Sequence, residues 1–160
     1  MQQEDLKSRG VQFVKYGLAG GIATAVYQGL FYLMGIFVLP ALLADDPIVK
    51  WFGLSGFPAT MEPVVRAQRV LVNGIVGFLI SNMVAYLINI WWVFRAGRHH
   101  WLVEIGLFYL VSGISFGAGL GIMIWQIFHY EISTSLANVS LVITSLMLNY
   151  AMRKFVIFKG

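Results

Sequence analysis

Ala85-Tyr86-Leu87-Ile88-Asn89-Ile90-Trp91-Trp92-Val93-Phe94-Arg95 closes one long apolar segment of this chain, and Asn149-Tyr150-Ala151-Met152-Arg153-Lys154-Phe155-Val156-Ile157-Phe158-Lys159 closes another. Tyr86 matches Tyr150, Phe94 matches Phe158 and Arg95 matches Lys159, each pair 64 residues apart. A fainter echo links the segments that precede them: Tyr16, Leu18 and Gly21-Ile22 match Phe108, Leu110 and Gly113-Ile114. The chain reads as two copies of a helix hairpin in parallel topology, and internal duplication is a recurring way to build membrane transporters.

Composition decides the solvent. Hydrophobic residues make up 59% of the 160 residues and charged residues 11%, whereas soluble domains carry about a quarter charged residues. A soluble fold of this length could not cover so much apolar surface, so lipid is the expected solvent. Segments Tyr16–Val38, Val70–Phe94, Ile105–Phe128 and Thr134–Met152 are each long enough to cross a bilayer core of roughly 30 Å. The expectation is one all-α domain over residues 1–160 with four transmembrane helices, a short polar tail before them and an amphipathic end running to 158. The first segment is too long for a signal peptide, lacks a convincing cleavage site and is expected to stay in the mature protein. Cysteine is absent, which removes disulfides, thiolate nucleophiles and cysteine metal sites.

Basic residues set the expected orientation. Lys7, Arg9 and Lys15 precede the first segment, Arg95 and Arg98 separate the second and third, and Arg153, Lys154 and Lys159 close the chain. The opposite side carries Lys50, Arg66 and Arg69 diluted by Asp45, Asp46 and Glu62. Positive-inside reasoning puts both termini in the cytoplasm. The basic excess (pI ≈ 9.5) then reads as contact with anionic lipid headgroups. Nucleic acid is a poor alternative and is not expected as a partner, because these charges are scattered over short membrane-flanking segments and make no continuous face.

The long connection Leu39–Gln68 mixes Trp51-Phe52 with Asp45-Asp46-Pro47 and Gly56-Phe57-Pro58, a mixture suited to the membrane interface. Small residues form three stripes: Gly17, Gly21, Thr24 and Gln28; Gly74, Gly77, Ser81 and Ala85; Gly113, Gly117 and Gly121. Such stripes are expected to be packing seams, since small side chains let helix backbones approach closely in lipid.

Polar residues inside the membrane are the informative set. Asn82 and Asn89 share a face of the second segment, Asn138, Ser145, Asn149 and Arg153 form a stripe on the fourth, and Gln28 lies mid-membrane on the first. An isolated amide in hydrocarbon costs several kcal/mol, so these groups should face one another or a wetted cavity. Interhelical glue and substrate contact both satisfy that requirement. Lys15, Arg153, Lys154 and Arg95 fall near the inner ends of three segments. Each can snorkel to water; converging, they would cradle a phosphate. Glu104 opens the third segment, either as a favourable charge at a helix N-terminus or as a partner for Arg153 or Lys15. His99, His100 and His129 lack a second ligand at metal spacing. No nucleophile triad, nucleotide loop or mid-membrane carboxylate is present. These features argue against an enzyme and against a proton-coupled drug exporter of similar size.

The two matched endings, with Phe13-Val14-Lys15-Tyr16-Gly17-Leu18-Ala19-Gly20-Gly21 opening the first segment, resemble the GtrA-like family, a four-helix unit also fused to some dolichol-phosphate mannose synthases. Tyr86, Asn89, Trp92 and Phe94 keep the family pattern in the second segment, and Asn149, Tyr150, Lys154 and Phe158 keep it in the fourth. Ala85 and Ile90 depart from it, which weakens the second copy and shifts any phosphate site toward the fourth. The resemblance implies translocation of a polyprenyl-phosphate-linked monosaccharide, such as one on undecaprenyl phosphate, across a bacterial inner membrane for polysaccharide or lipopolysaccharide modification. The phosphate would sit among Lys15, Arg153, Lys154 and Arg95; Gln28, Asn82, Tyr86, Asn89, Asn149 and Tyr150 would line the sugar path. No cofactor or metal is implied. A homo-oligomer, dimer or tetramer, is expected because four helices enclose little interior. The competing expectation is a non-transporting anchor for a membrane glycosyltransferase.

Overall fold

The computed structural model describes residues 2–93 and 100–152. They form α1 (Gln2–Leu33), α2 (Pro47–Trp51), α3 (Pro63–Ile88), α4 (Trp101–Tyr130) and α5 (Thr134–Met152). α1 and α3 each run on into a wider π-helical turn, Met34–Val38 and Asn89–Val93. No strand occurs among the described residues. α1, α3 and α4 are long and apolar enough to cross a membrane, and α5 is a shorter apolar helix. At 19 residues α5 is about 28 Å long, close to the roughly 30 Å of a bilayer core. The fold is that of an all-helical, multi-pass membrane protein.

Several boundaries differ from the hydropathy reading. α1 already begins at Gln2, so the polar tail is continuous with the first helix. α3 starts at Pro63 rather than Val70, because proline suits the first helical position, where its missing N–H costs nothing. Arg66 and Arg69 interrupt the apolar run without breaking the helix. Arg66 Nη2 donates to the Ile127 carbonyl (3.4 Å) and Arg69 Nη1 to the Pro40 carbonyl (2.7 Å). α4 starts at Trp101 rather than Ile105, with His100 Nδ1 accepting from Leu102 N–H at its N-cap. The expected amphipathic end to 158 lies outside the described residues.

The four long helices stand in a row, α1–α3–α4–α5, each packed antiparallel on the next. Lys15 lies by Trp92 and Gly35 by Asn73 across α1 and α3. Phe78 stacks on Phe116 across α3 and α4, and Ser145 donates to the Ser115 carbonyl across α4 and α5. Residues 39–62 cover one end of the row, the loop end; the helices' opposite ends form the terminal end.

Glycine placement shows which faces touch. A Cβ on Gly77 would lie 3.2 Å from the Tyr27 ring, and one on Gly119 would lie 2.6 Å from Ser145 Oγ and 2.7 Å from the Leu141 carbonyl oxygen. The α3 stripe is therefore a seam. The other two stripes are looser: among the described residues a Cβ on Gly17, Gly21, Gly117 or Gly121 would meet nothing within 4 Å, and one on Gly113 would touch the Phe78 ring at 3.9 Å. α4 meets α5 through Gly119, which belongs to no stripe read from spacing.

A polar latch pins the loop to the loop end. Buried Asp46 accepts from Ile48 N–H at the start of α2 and from Ser135 N–H near the start of α5 (each 3.0 Å). It also accepts from the Ser135 hydroxyl. Thr134 Oγ1 donates to the Ala41 carbonyl and Asn73 Nδ2 to that of Leu39. Beyond the latch, Trp51 and Phe52 are 82% and 67% exposed, as suits side chains at a membrane interface.

Gly119→Ala is expected to lower stability by about 1–3 kcal/mol, the cost of overpacking a tight interface. Gly121→Ala, with open space around it, is expected to stay within about 0.5 kcal/mol of wild type. Thermal unfolding of both variants in one detergent checks the pair.

Candidate functional site

Between the four long helices lies a cavity of about 140 Å³. Each helix contributes polar side chains to it: Thr24 and Tyr27 from α1, Ser81 and Asn82 from α3, Ser112 and Ser115 from α4, Ser145 and Asn149 from α5. Phe78 and Phe116, stacked at 4.4 Å, supply an aromatic wall. No charged side chain lines it among the described residues. The hollow thus sets hydroxyl and amide groups among a mostly apolar lining that includes Leu141, Val142 and Leu146.

Most of these hydroxyls are bonded back to a carbonyl of their own helix: Thr24 to Gly20 (2.9 Å), Ser81 to Phe78 (3.2 Å) and Ser112 to Phe108 (2.5 Å). Their protons are committed, so toward the cavity they offer lone pairs. Asn82 and Tyr27 differ. Asn82 Nδ2 and Tyr27 OH are buried without a hydrogen-bond partner among the described residues. An unsatisfied buried donor costs roughly 1–3 kcal/mol, so such groups mark places where something else completes the bond.

The residues singled out from sequence fall into separate places. Asn82 and Asn149 line the cavity. Gln28 does not; its Oε1 accepts from Asn138 Nδ2 (2.8 Å) on α5, and Asn138 Nδ2 also lies 3.5 Å from Tyr32 OH. Asn89, on the same face of α3 as Asn82, donates through Nδ2 to the Ala85 carbonyl (2.8 Å), and its Oδ1 has no partner. Tyr86 is buried edge-on to Phe108. Lys15 Nζ sits 5.6 Å from the centroid of the Trp92 ring, a cation–π contact. Glu104 lies in the first turn of α4. Arg95, Arg153 and Lys154 lie outside the described residues, as does the side chain of Tyr150. Tyr27, Ser112 and Ser115 were not singled out. Their only signal was polarity within apolar helices, which a serine bonded to its own backbone does not distinguish from packing.

The arrangement defines a class: a multi-pass helical membrane protein with a neutral polar hollow and aromatic walls. The family described as GtrA/DPMS, transmembrane domain, matches residues 59–158, and the chain belongs to that family. The match takes in α3, α4 and α5 and supports a membrane role in glycosyl-lipid processes. No curated protein and no solved structure matches the chain.

Two asparagines should respond oppositely to removal of the amide. Asn82→Leu deletes a donor that has no partner and is expected to preserve or raise the unfolding temperature. Asn138→Leu deletes the bond to Gln28 and is expected to cost about 1–3 kcal/mol. Thermal unfolding of each variant in the same detergent separates the two.

Proposed function

We propose that the protein translocates a polyprenyl-phosphate-linked monosaccharide across the bacterial inner membrane, as a carrier with no catalytic step of its own. The cavity carries this reading. Moving a sugar through hydrocarbon strips its hydroxyls of water, at roughly 2–7 kcal/mol for each group left without a hydrogen bond. Serine lone pairs and an unpartnered asparagine amide beside an aromatic wall offset that cost for a neutral head group. The family membership points to the same chemistry.

In this reading the sugar lies against Asn82, Asn149 and the serines. The phosphate stays toward the terminal end, where Lys15 is; Arg95, Arg153 and Lys154 are assigned to the same charge cluster from sequence. Positive-inside reasoning places that end in the cytoplasm, beside anionic lipids that hold the basic residues. The expected oligomer, dimer or tetramer, is retained as part of the proposal.

Reconstituted liposomes carrying undecaprenyl-phosphate-linked glucose, galactose or N-acetylhexosamine provide the test. Wild type is expected to move at least one of them, and Asn82→Leu to slow that movement about tenfold, the worth of one hydrogen bond. Lys15→Ala is expected to weaken apparent affinity for the lipid. Wild-type liposomes indistinguishable from protein-free ones would overturn the carrier reading. Co-purification of a cytoplasmic glycosyltransferase with such an inert protein would put the anchor reading in its place.

A further inference from the structure

We propose that the cleft between α1 and α5 seats the isoprenoid chain of the lipid whose sugar occupies the cavity, with Gln28 and Asn138 as its stop at the loop end. This deepens the reading above and rests on it for the identity of the head group.

The four long helices form an open row. Its two outer members, α1 and α5, share no run of backbone contacts among the described residues, yet both line the cavity. The hollow therefore has walls on the α3 and α4 sides and an opening between α1 and α5. Toward the loop end the side-chain bonds from Asn138 to Gln28 and Tyr32 cross that opening.

The α1 edge of this opening is stripped of side chains. Gly17, Gly21, Thr24 and Gln28 recur at helical spacing, so they share a side of α1. Gln28 meets α5 and Thr24 lines the cavity, which turns Gly17 and Gly21 toward the cleft. A Cβ on either would meet nothing within 4 Å, whereas those on Gly77 and Gly119 would collide with a neighbour. Among the described residues, these α1 glycines hold no helix against another. On the α5 edge, half-buried Val142 and exposed Leu146 give an apolar wall.

The glycine strip alone would be only a smooth face. The second observation is that it opens onto a cavity lined by Asn82, which is 93% buried at 7% exposure and has a donor without a partner. A head group completing that bond is tethered to a chain, and the chain must leave by the open side. A methyl-branched chain is wider than a straight one, and a floor lacking Cβ atoms gives it that width.

Diazirine-bearing farnesyl phosphate, photolysed with the protein in nanodiscs, tests the assignment. Labelling is expected to concentrate on residues 17–24 and 142–149. Gly21→Leu should reduce it about tenfold by filling the cleft, with helical circular dichroism and unfolding temperature unchanged. Gly121→Leu, equally open but on α4, should leave labelling at the wild-type level. Labels spread evenly over all lipid-facing helices, or undiminished by Gly21→Leu, would overturn the proposal. Equal labelling by a diazirine-bearing dodecyl phosphate would overturn the isoprenoid assignment in favour of ordinary lipid contact. Specific cleft labelling in a protein that fails the liposome assay would sink the carrier reading while leaving the cleft in place.

Discussion

Hydrocarbon gives an apolar helix no reason to prefer one neighbour over another, so close approach and polar bonds must choose. Here the choice rests on very few atoms. Tyr27 fits over Gly74 and Gly77 to join α1 to α3, and Gly119 admits the backbone of α5 against α4. α1 meets α5 instead through amide and hydroxyl bonds near the loop end and through the shared apolar cluster of Tyr27, Phe31, Ala137 and Leu141. A ring of four helices would have closed on itself and left no way in. A row held at three joints stays open on its fourth side, and that geometry follows from where the glycines are, and are not, buried.

At the loop end Asp46 takes three donors, Thr134 and Arg69 find carbonyls, and buried Asn138 reaches Gln28. Arg66 Nε, Asn73 Oδ1, Gln126 Oε1, Ser133 Oγ and Asn138 Oδ1 are buried there without a partner among the described residues. In the middle of the bundle, Asn82 and Tyr27 keep donors without acceptors. A bundle built for rigidity alone would gain by replacing those two with leucine and phenylalanine.

Much of this was legible in the sequence, though unevenly. Length and apolarity marked the spans, because a bilayer imposes one thickness on all of them. The start of α3 was missed: Arg66 and Arg69 look like loop residues until Ile127 and Pro40 supply carbonyls from distant parts of the chain. Spacing found the small-residue stripes but could not say which faced a partner. Gly74 and Gly77 do, Gly17 and Gly21 do not, and Gly119 lay outside every stripe. The amides divided the same way. Asn82 and Gln28 are alike as residues in apolar helices, and only the opposite helix makes one a cavity wall and the other a strut.

The wide turns at Met34–Val38 and Asn89–Val93 carry a consequence of their own. A π-turn stores one more residue than an α-turn, and such turns occur frequently at functional sites. Each residue turns an α-helix by about 100°, so letting a wide turn relax would rotate everything beyond it by roughly that angle. At Asn89–Val93 the rotation would swing Trp92 out from under Lys15. The direction in which that end of α3 presents its aromatic side chains is thus held by a choice between hydrogen-bonding partners along one backbone. Exchanging carbonyls there would re-aim the indole and part it from the Lys15 ammonium.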